Sequence, residues 1–173
     1  MHLFFVFLLS FMITGCGLFK QFNESEEYKQ LRAENKDPHH AASCGPKALY
    51  KALKKFDERI SRREISHEIL SNGQITSCVR DLLSIFENEA REITFPSEMK
   101  IPLEKRGYTM KKVKSLKELN KEKDVGLVLI KKKWTLLYHW LCFPVDKNIL
   151  TFFGNDTDIQ EVYLILKNWK YKN

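Results

Sequence analysis

The sequence predicts an α+β fold, with N-terminal helices packed on a C-terminal antiparallel sheet, and three observations carry that prediction. Apolar residues recur at helical spacing in the first part of the chain, as in Ala48, Leu49, Ala52, Leu53 and Phe56. After Asp124 the period changes to β type, with apolar or alternating runs over Val125 to Ile130, Trp134 to Val145 and Ile149 to Phe153. Asp146-Lys147-Asn148 is a hairpin turn between the last two runs. Helices first and strands last exclude a doubly wound parallel sheet. With 173 residues, 43% of them hydrophobic, the chain can bury one core, so one globular domain is expected.

Before that domain lies a leader. Leu3 to Ile13 is an apolar run of signal-peptide length, shorter than the roughly 20 residues that span a bilayer, and it ends in Ile13-Thr14-Gly15-Cys16. That ending resembles the bacterial lipoprotein signal, which implies removal of residues 1–15 and acylation of Cys16 as a membrane anchor. By the same resemblance, Gly17 implies the outer membrane in a Gram-negative host and an extracytoplasmic, periplasmic-side protein. Met1-His2 carries no Lys or Arg, so an uncleaved anchor and an ordinary secretory signal stay open as alternatives. Residues 16–36 are polar, with the acidic run Asn23-Glu24-Ser25-Glu26-Glu27, and read as a lipidated tether. At ~3.3 Å per residue, about twenty residues reach up to ~65 Å from the lipid. The domain is expected over 37–173.

Its first helix opens at Ser43-Cys44-Gly45-Pro46. Gly45 permits a tight turn and Pro46 suits the first helical position. Cys44 is thereby placed at the positive end of a helix, where the dipole and unpaired N–H groups are expected to lower a thiol pKa from about 8.5 and make the sulfur a nucleophile. Ser61-Arg62-Arg63-Glu64 is a capping box that opens a short helix through Ile65, Ile69 and Leu70, ended by Asn72-Gly73. Val79, Leu82, Leu83 and Phe86 form an amphipathic stripe over 76–90, expected to face the core. Residues 97–106 predict a further helix despite Pro102, with Gly107 as its C-cap, and Ser115-Leu116-Lys117-Glu118 a second capping box and short helix. Residues 160–169 read equally as strand or helix.

Within the strand over 134–145, alternation puts Leu137, His139, Leu141 and Phe143 on one face and Cys142 on the other. A histidine on an apolar face is commonly a satisfied core residue. Paired with a cysteine at a helix start, it is also the group that could take the thiol proton and later protonate a leaving amine.

Cys44-Gly45-Pro46-Lys47-Ala48-Leu49 followed by His139-Trp140 in a later strand resembles the papain-like cysteine peptidases related to the bacteriocin-leader (double-glycine) peptidase family. Phytochelatin synthases have a similar Cys-Gly-Pro opening. The resemblance runs from about Asp37 to Trp169 and implies a papain-like fold, with Cys44 as nucleophile and His139 as its base. It also implies a third residue at the end of the next strand, where Phe153-Gly154-Asn155-Asp156 stands. Asp156 fits the bacteriocin-peptidase pattern and Asn155 the papain one, while a plain turn remains open. The sequence departs from the family at the oxyanion hole. The family's Gln ahead of the nucleophile is absent from Asp37-Pro38-His39-His40-Ala41-Ala42-Ser43, leaving His39 or His40 as the substitute donor.

Charge narrows the functional classes. The net charge is +7 with a pI near 9.2, but the lysines are scattered and no nucleic-acid motif is present, so a solvated surface is expected and not a nucleic-acid site. No Cys-x-x-Cys or His-x-x-x-His spacing supports a metal site, and no cofactor is expected. Cys78 and Cys142 either pair or are separately buried thiols. Three readings follow: a cysteine hydrolase of peptide or isopeptide bonds, an acyltransferase of phytochelatin-synthase type, or an inactive binding module on the same fold. The expected partners are a peptide or protein substrate and, through Cys16, a membrane; the domain itself is expected to be a monomer. The NlpC type of cell-wall endopeptidase fits less well, because Ser43 and Gly45 flank the cysteine where that pattern has Asp and Ser.

Overall fold

Ser43, extended at φ −69° and ψ 167°, starts helix α1 (Cys44–Lys54), which buries Ala48, Leu49, Ala52 and Leu53 on the face predicted from their spacing. The computed structural model describes residues 34, 36–72, 75–86, 92–133, 138–145 and 157–168. Residues 36–42 are helical and lead into α1. The capping box of α2 (Arg62–Leu70) forms as predicted: the Ser61 hydroxyl accepts the Glu64 N–H at 3.1 Å, and the Glu64 carboxylate accepts the Ser61 N–H at 3.5 Å.

Helix α3 (Ile75–Phe86) corrects the reading of its stripe. Val79 and Leu83 are 41% and 42% exposed, and the buried face instead carries Arg80, at 1%. The physical reason is an ion pair: the Arg80 guanidinium meets the fully buried Glu98 carboxylate, so one charge accompanies the other out of water. Glu98 belongs to α4 (Pro96–Glu104), where it also accepts the Phe95 N–H at 2.9 Å and so caps the helix. Pro102 lies inside α4 and Gly107 follows it at φ 73°, the left-handed conformation that favours glycine.

Tyr108–Val113 then forms a strand, β1, that the sequence reading did not anticipate. The second predicted capping box does not form. Ser115 makes no side-chain cap, and Leu116–Glu118 is a single 3₁₀ turn whose Glu118 carboxylate accepts the Lys114 N–H at 3.0 Å. Strands β2 (Gly126–Lys132), β3 (Tyr138–Phe143) and β4 (Thr157–Lys167) follow, the last resolving the ambiguity over 160–169 in favour of a strand. The expected strand at 149–153 and the hairpin turn at 146–148 lie outside the described residues.

The sheet order is β1-β4-β2-β3 with every pair antiparallel, so the α+β class is as predicted, with the C-terminal strand in an interior position. Strand alternation gives the sheet two apolar faces. Tyr108, Met110, Leu127, Trp140, Tyr163 and Ile165 pack against the helices. Val128, Ile130, Phe143 and Val162 pack with Leu119 and Leu116 from the loop after β1. Among the described residues β3 is an edge strand, and α1 covers that edge: Lys55, just past the helix, donates to the Phe143 carbonyl at 3.2 Å.

Candidate active site

Cys44 occupies the first position of α1, and Gly45 behind it is fixed by a close approach. A Cβ at Gly45 would lie 2.3 Å from Thr94 Oγ1, so no larger residue fits without displacing Thr94. Thr94 cannot move easily. Its carbonyl accepts the Trp140 indole N–H at 2.8 Å, and its hydroxyl lies 2.9 Å from His40 Nε2. The His40 Nδ1 is 2.8 Å from Ser66 Oγ, which in turn donates to the Asp37 carbonyl at 3.3 Å.

The His40 ring is held between the Ser66 and Thr94 hydroxyls, and the Ile93 backbone also bonds to it. Burial and the Arg80 charge together push the His40 pKa down to about 3, consistent with a neutral ring. Both nitrogens of His40 are engaged and the side chain is fully buried, so it has no N–H left for an oxyanion. His39, its neighbour, is solvent-exposed. Sequence reasoning placed neither Ser66 nor Thr94 in this group, because both lie far from His40 along the chain.

On the other side of the helix start, the Cys44 sulfur meets β3. Backbone N–H groups of Trp140, Cys44 and Gly45 hydrogen-bond to it and favour the thiolate, while burial, the larger effect, and the nearby Glu92 carboxylate favour the thiol. The net direction is upward. The lowered thiol pKa expected from the helix position is therefore reversed, because a half-buried sulfur loses more hydration than three amide dipoles return.

The Trp140 N–H belongs to the peptide that joins His139 to Trp140, so the sulfur lies beside the backbone of the histidine-bearing strand. The side chains leave that peptide in opposite directions. Trp140 packs in the helix-side core, whereas His139 lies opposite Ile130 and alternates with Leu141 and Phe143, on the sheet's second face. The thiol, packed on the helix side, and the imidazole are thus on opposite faces of the sheet. The His139 ring is half-buried, and desolvation lowers its pKa. Both groups are displaced toward their neutral forms. Asn155 and Asp156 lie outside the described residues, as does Cys16.

The Ser43 hydroxyl is buried without a partner among the described residues and caps nothing, and the first-turn N–H groups of Cys44 and Gly45 face the Cys44 sulfur. Cys142 carries a free thiol whose pKa burial raises, opposed by Lys55 and Lys51; the side chain of Cys78 lies outside what is described. Among the described residues no three His, Cys, Asp or Glu side chains converge as metal ligands do, and no helix is long and apolar enough to cross a membrane. No family model, no curated protein and no solved structure matches this chain.

Proposed function

We propose that this protein is a papain-like cysteine hydrolase of peptide or isopeptide bonds, held on the extracytoplasmic side of a bacterial membrane by a lipid on Cys16. The observation that carries the chemistry is the Cys44 sulfur at an uncapped helix start, bonded to the peptide N–H that follows His139. Because both groups rest neutral, the reaction begins with general-base assistance and not with a preformed ion pair. The sulfur attacks the carbonyl carbon as the thiol proton passes to the His139 imidazole. The carbonyl oxygen takes up the negative charge beside the Cys44 and Gly45 N–H groups. The C–N bond then breaks, His139 returns the proton to the departing amine, and water hydrolyses the thioester to regenerate the thiol. Asp156 or Asn155 orients the imidazole. An amine or thiol in place of water would make the same thioester an acyl donor, as in the phytochelatin-synthase alternative.

A specific observation favours one competing reading. The raised Cys44 pKa and the missing Gln both suit a papain-like module that binds peptides without cleaving them. Labelling the full chain with a peptidyl epoxide at neutral pH, followed by intact mass, separates the two. Modification at Cys44 that His139→Ala abolishes is expected of the hydrolase; labelling of Cys44 no faster than Cys142, or unaffected by His139→Ala, assigns the binding module instead. For the anchor, Cys16→Ser is expected to shift the protein from the detergent to the aqueous phase, and unchanged partitioning overturns it.

A further inference from the structure

A groove of about 640 Å³ runs between the helical segment 36–42, the outer face of α1 and the turn into α2. Its floor is apolar, with Pro38 and Tyr50, and its rim carries Lys47, Lys51, Arg62 and Arg63 with no Asp or Glu in the lining. Lys47, Lys51 and Arg62 are exposed and have no hydrogen-bond or ion-pair partner among the described residues. Arg63 is different, because the buried Asp37 carboxylate accepts its Nε at 2.7 Å. That bond fixes the guanidinium from behind and leaves its two terminal nitrogens without a partner among the described residues, in the fork geometry that suits a carboxylate. Lys54 adds a fifth positive charge nearby, its ammonium 5.6 Å from the centre of the Tyr50 ring.

We infer that this groove binds an acidic peptide segment. The cationic rim supplies charge complementarity, and the held Arg63 a directional contact. The apolar floor and the volume suit several residues of a peptide better than a lone inorganic anion. The site does not include Cys44, and the inference stands whether or not the cysteine is catalytic.

Fluorescence anisotropy of a labelled Asp/Glu-rich hexapeptide with the full chain tests it, beside its Asn/Gln counterpart, inorganic phosphate and vesicles of anionic phospholipid. Saturable binding of the acidic peptide is expected, weakened at least tenfold by Lys47→Gln/Lys51→Gln/Arg62→Gln, by Arg63→Lys alone to a lesser degree, and by added salt. Lys47, Lys51 and Arg62 are exposed, whereas Arg63→Lys also alters the bond to the buried Asp37, so circular dichroism checks that every variant folds. The titration is repeated on a chain with Glu24→Gln, Glu26→Gln and Glu27→Gln, which removes competition from its own acidic run, and on Cys44→Ser, where unchanged affinity is expected. Equal binding of the neutral peptide, indifference to the triple variant on both backgrounds, or saturation by phosphate or vesicles in place of peptide would overturn the inference.

Discussion

The two sides of the Cys44 helix start are built differently. Toward the core, His40, Ser66, Thr94 and the indole of Trp140 form a closed set in which each polar atom on the path from Asp37 to Thr94 has its partner. Toward β3, the sulfur lies half-buried on the helix side of the sheet and the His139 ring half-buried on its other face, each with a pKa displaced by lost hydration. The two histidines show what the difference means. His40 is a structural member because both nitrogens are used internally, whereas His139 is half-buried on the far face of the sheet. Disturbing the closed side should cost stability, and disturbing the open side should change reactivity.

The largest effect is expected at the ion pair that pins the segment carrying Thr94. Arg80 also donates its Nε to the Ile93 carbonyl at 2.7 Å, so Arg80→Ala strands a buried Glu98 and frees the 93–94 backbone together. A loss of about 3–5 kcal/mol is expected by urea denaturation, and a change below ~1 kcal/mol would show the pair to be solvated. Gly45→Ala comes next. With a Cβ placed 2.3 Å from Thr94 Oγ1, overpacking should cost about 1–3 kcal/mol, and a neutral result would mean that Thr94 yields without cost.

Smaller at moderate pH is the linkage through His40. Its pKa falls from 6.5 to about 3 on folding, so the unfolded chain binds the extra proton and stability is lost as pH drops through that window. At pH 5 the loss from this group is about 2 kcal/mol relative to pH 7. His40→Asn should be less stable at pH 7 yet show a shallower decline between pH 6.5 and 4. Parallel pH profiles for the two proteins would remove His40 from the closed set.

The parts legible in the sequence are those set by local rules. Spacing and capping located α1 and α2, and the change of period located the sheet. What stayed hidden depended on contacts distant in the chain. The stripe of α3 was misassigned because the partner that buries Arg80 lies on another helix. Strand β1 was missed because Lys111 and Lys112 break its alternation, and its pairing with β4 is what makes it a strand. The Ser115 box failed because tertiary packing drew Leu116 and Leu119 onto the sheet instead of extending a helix. The helix start at Cys44 was legible from Gly45 and Pro46, but the depth of the sulfur was not, and depth decided its pKa.

That depth gives the last test, which bears on the open side alone. A thiolate stabilised by the helix start would alkylate at a rate that levels off well below pH 8. Here burial outweighs the three N–H groups, so the iodoacetamide rate at Cys44 should still be climbing at pH 9, with little change in stability across the same range. Lowering the carboxylate's opposition by Glu92→Gln should move the profile slightly to lower pH, because the charge that raises the pKa is gone while the desolvation remains. A plateau below pH 8 would mean that the amide dipoles and His139 win over burial, and the resting site would then be an ion pair. Either profile should be unchanged by His40→Asn if the two sides of the helix start are independent, so coupling between them would appear as a shifted profile in that variant.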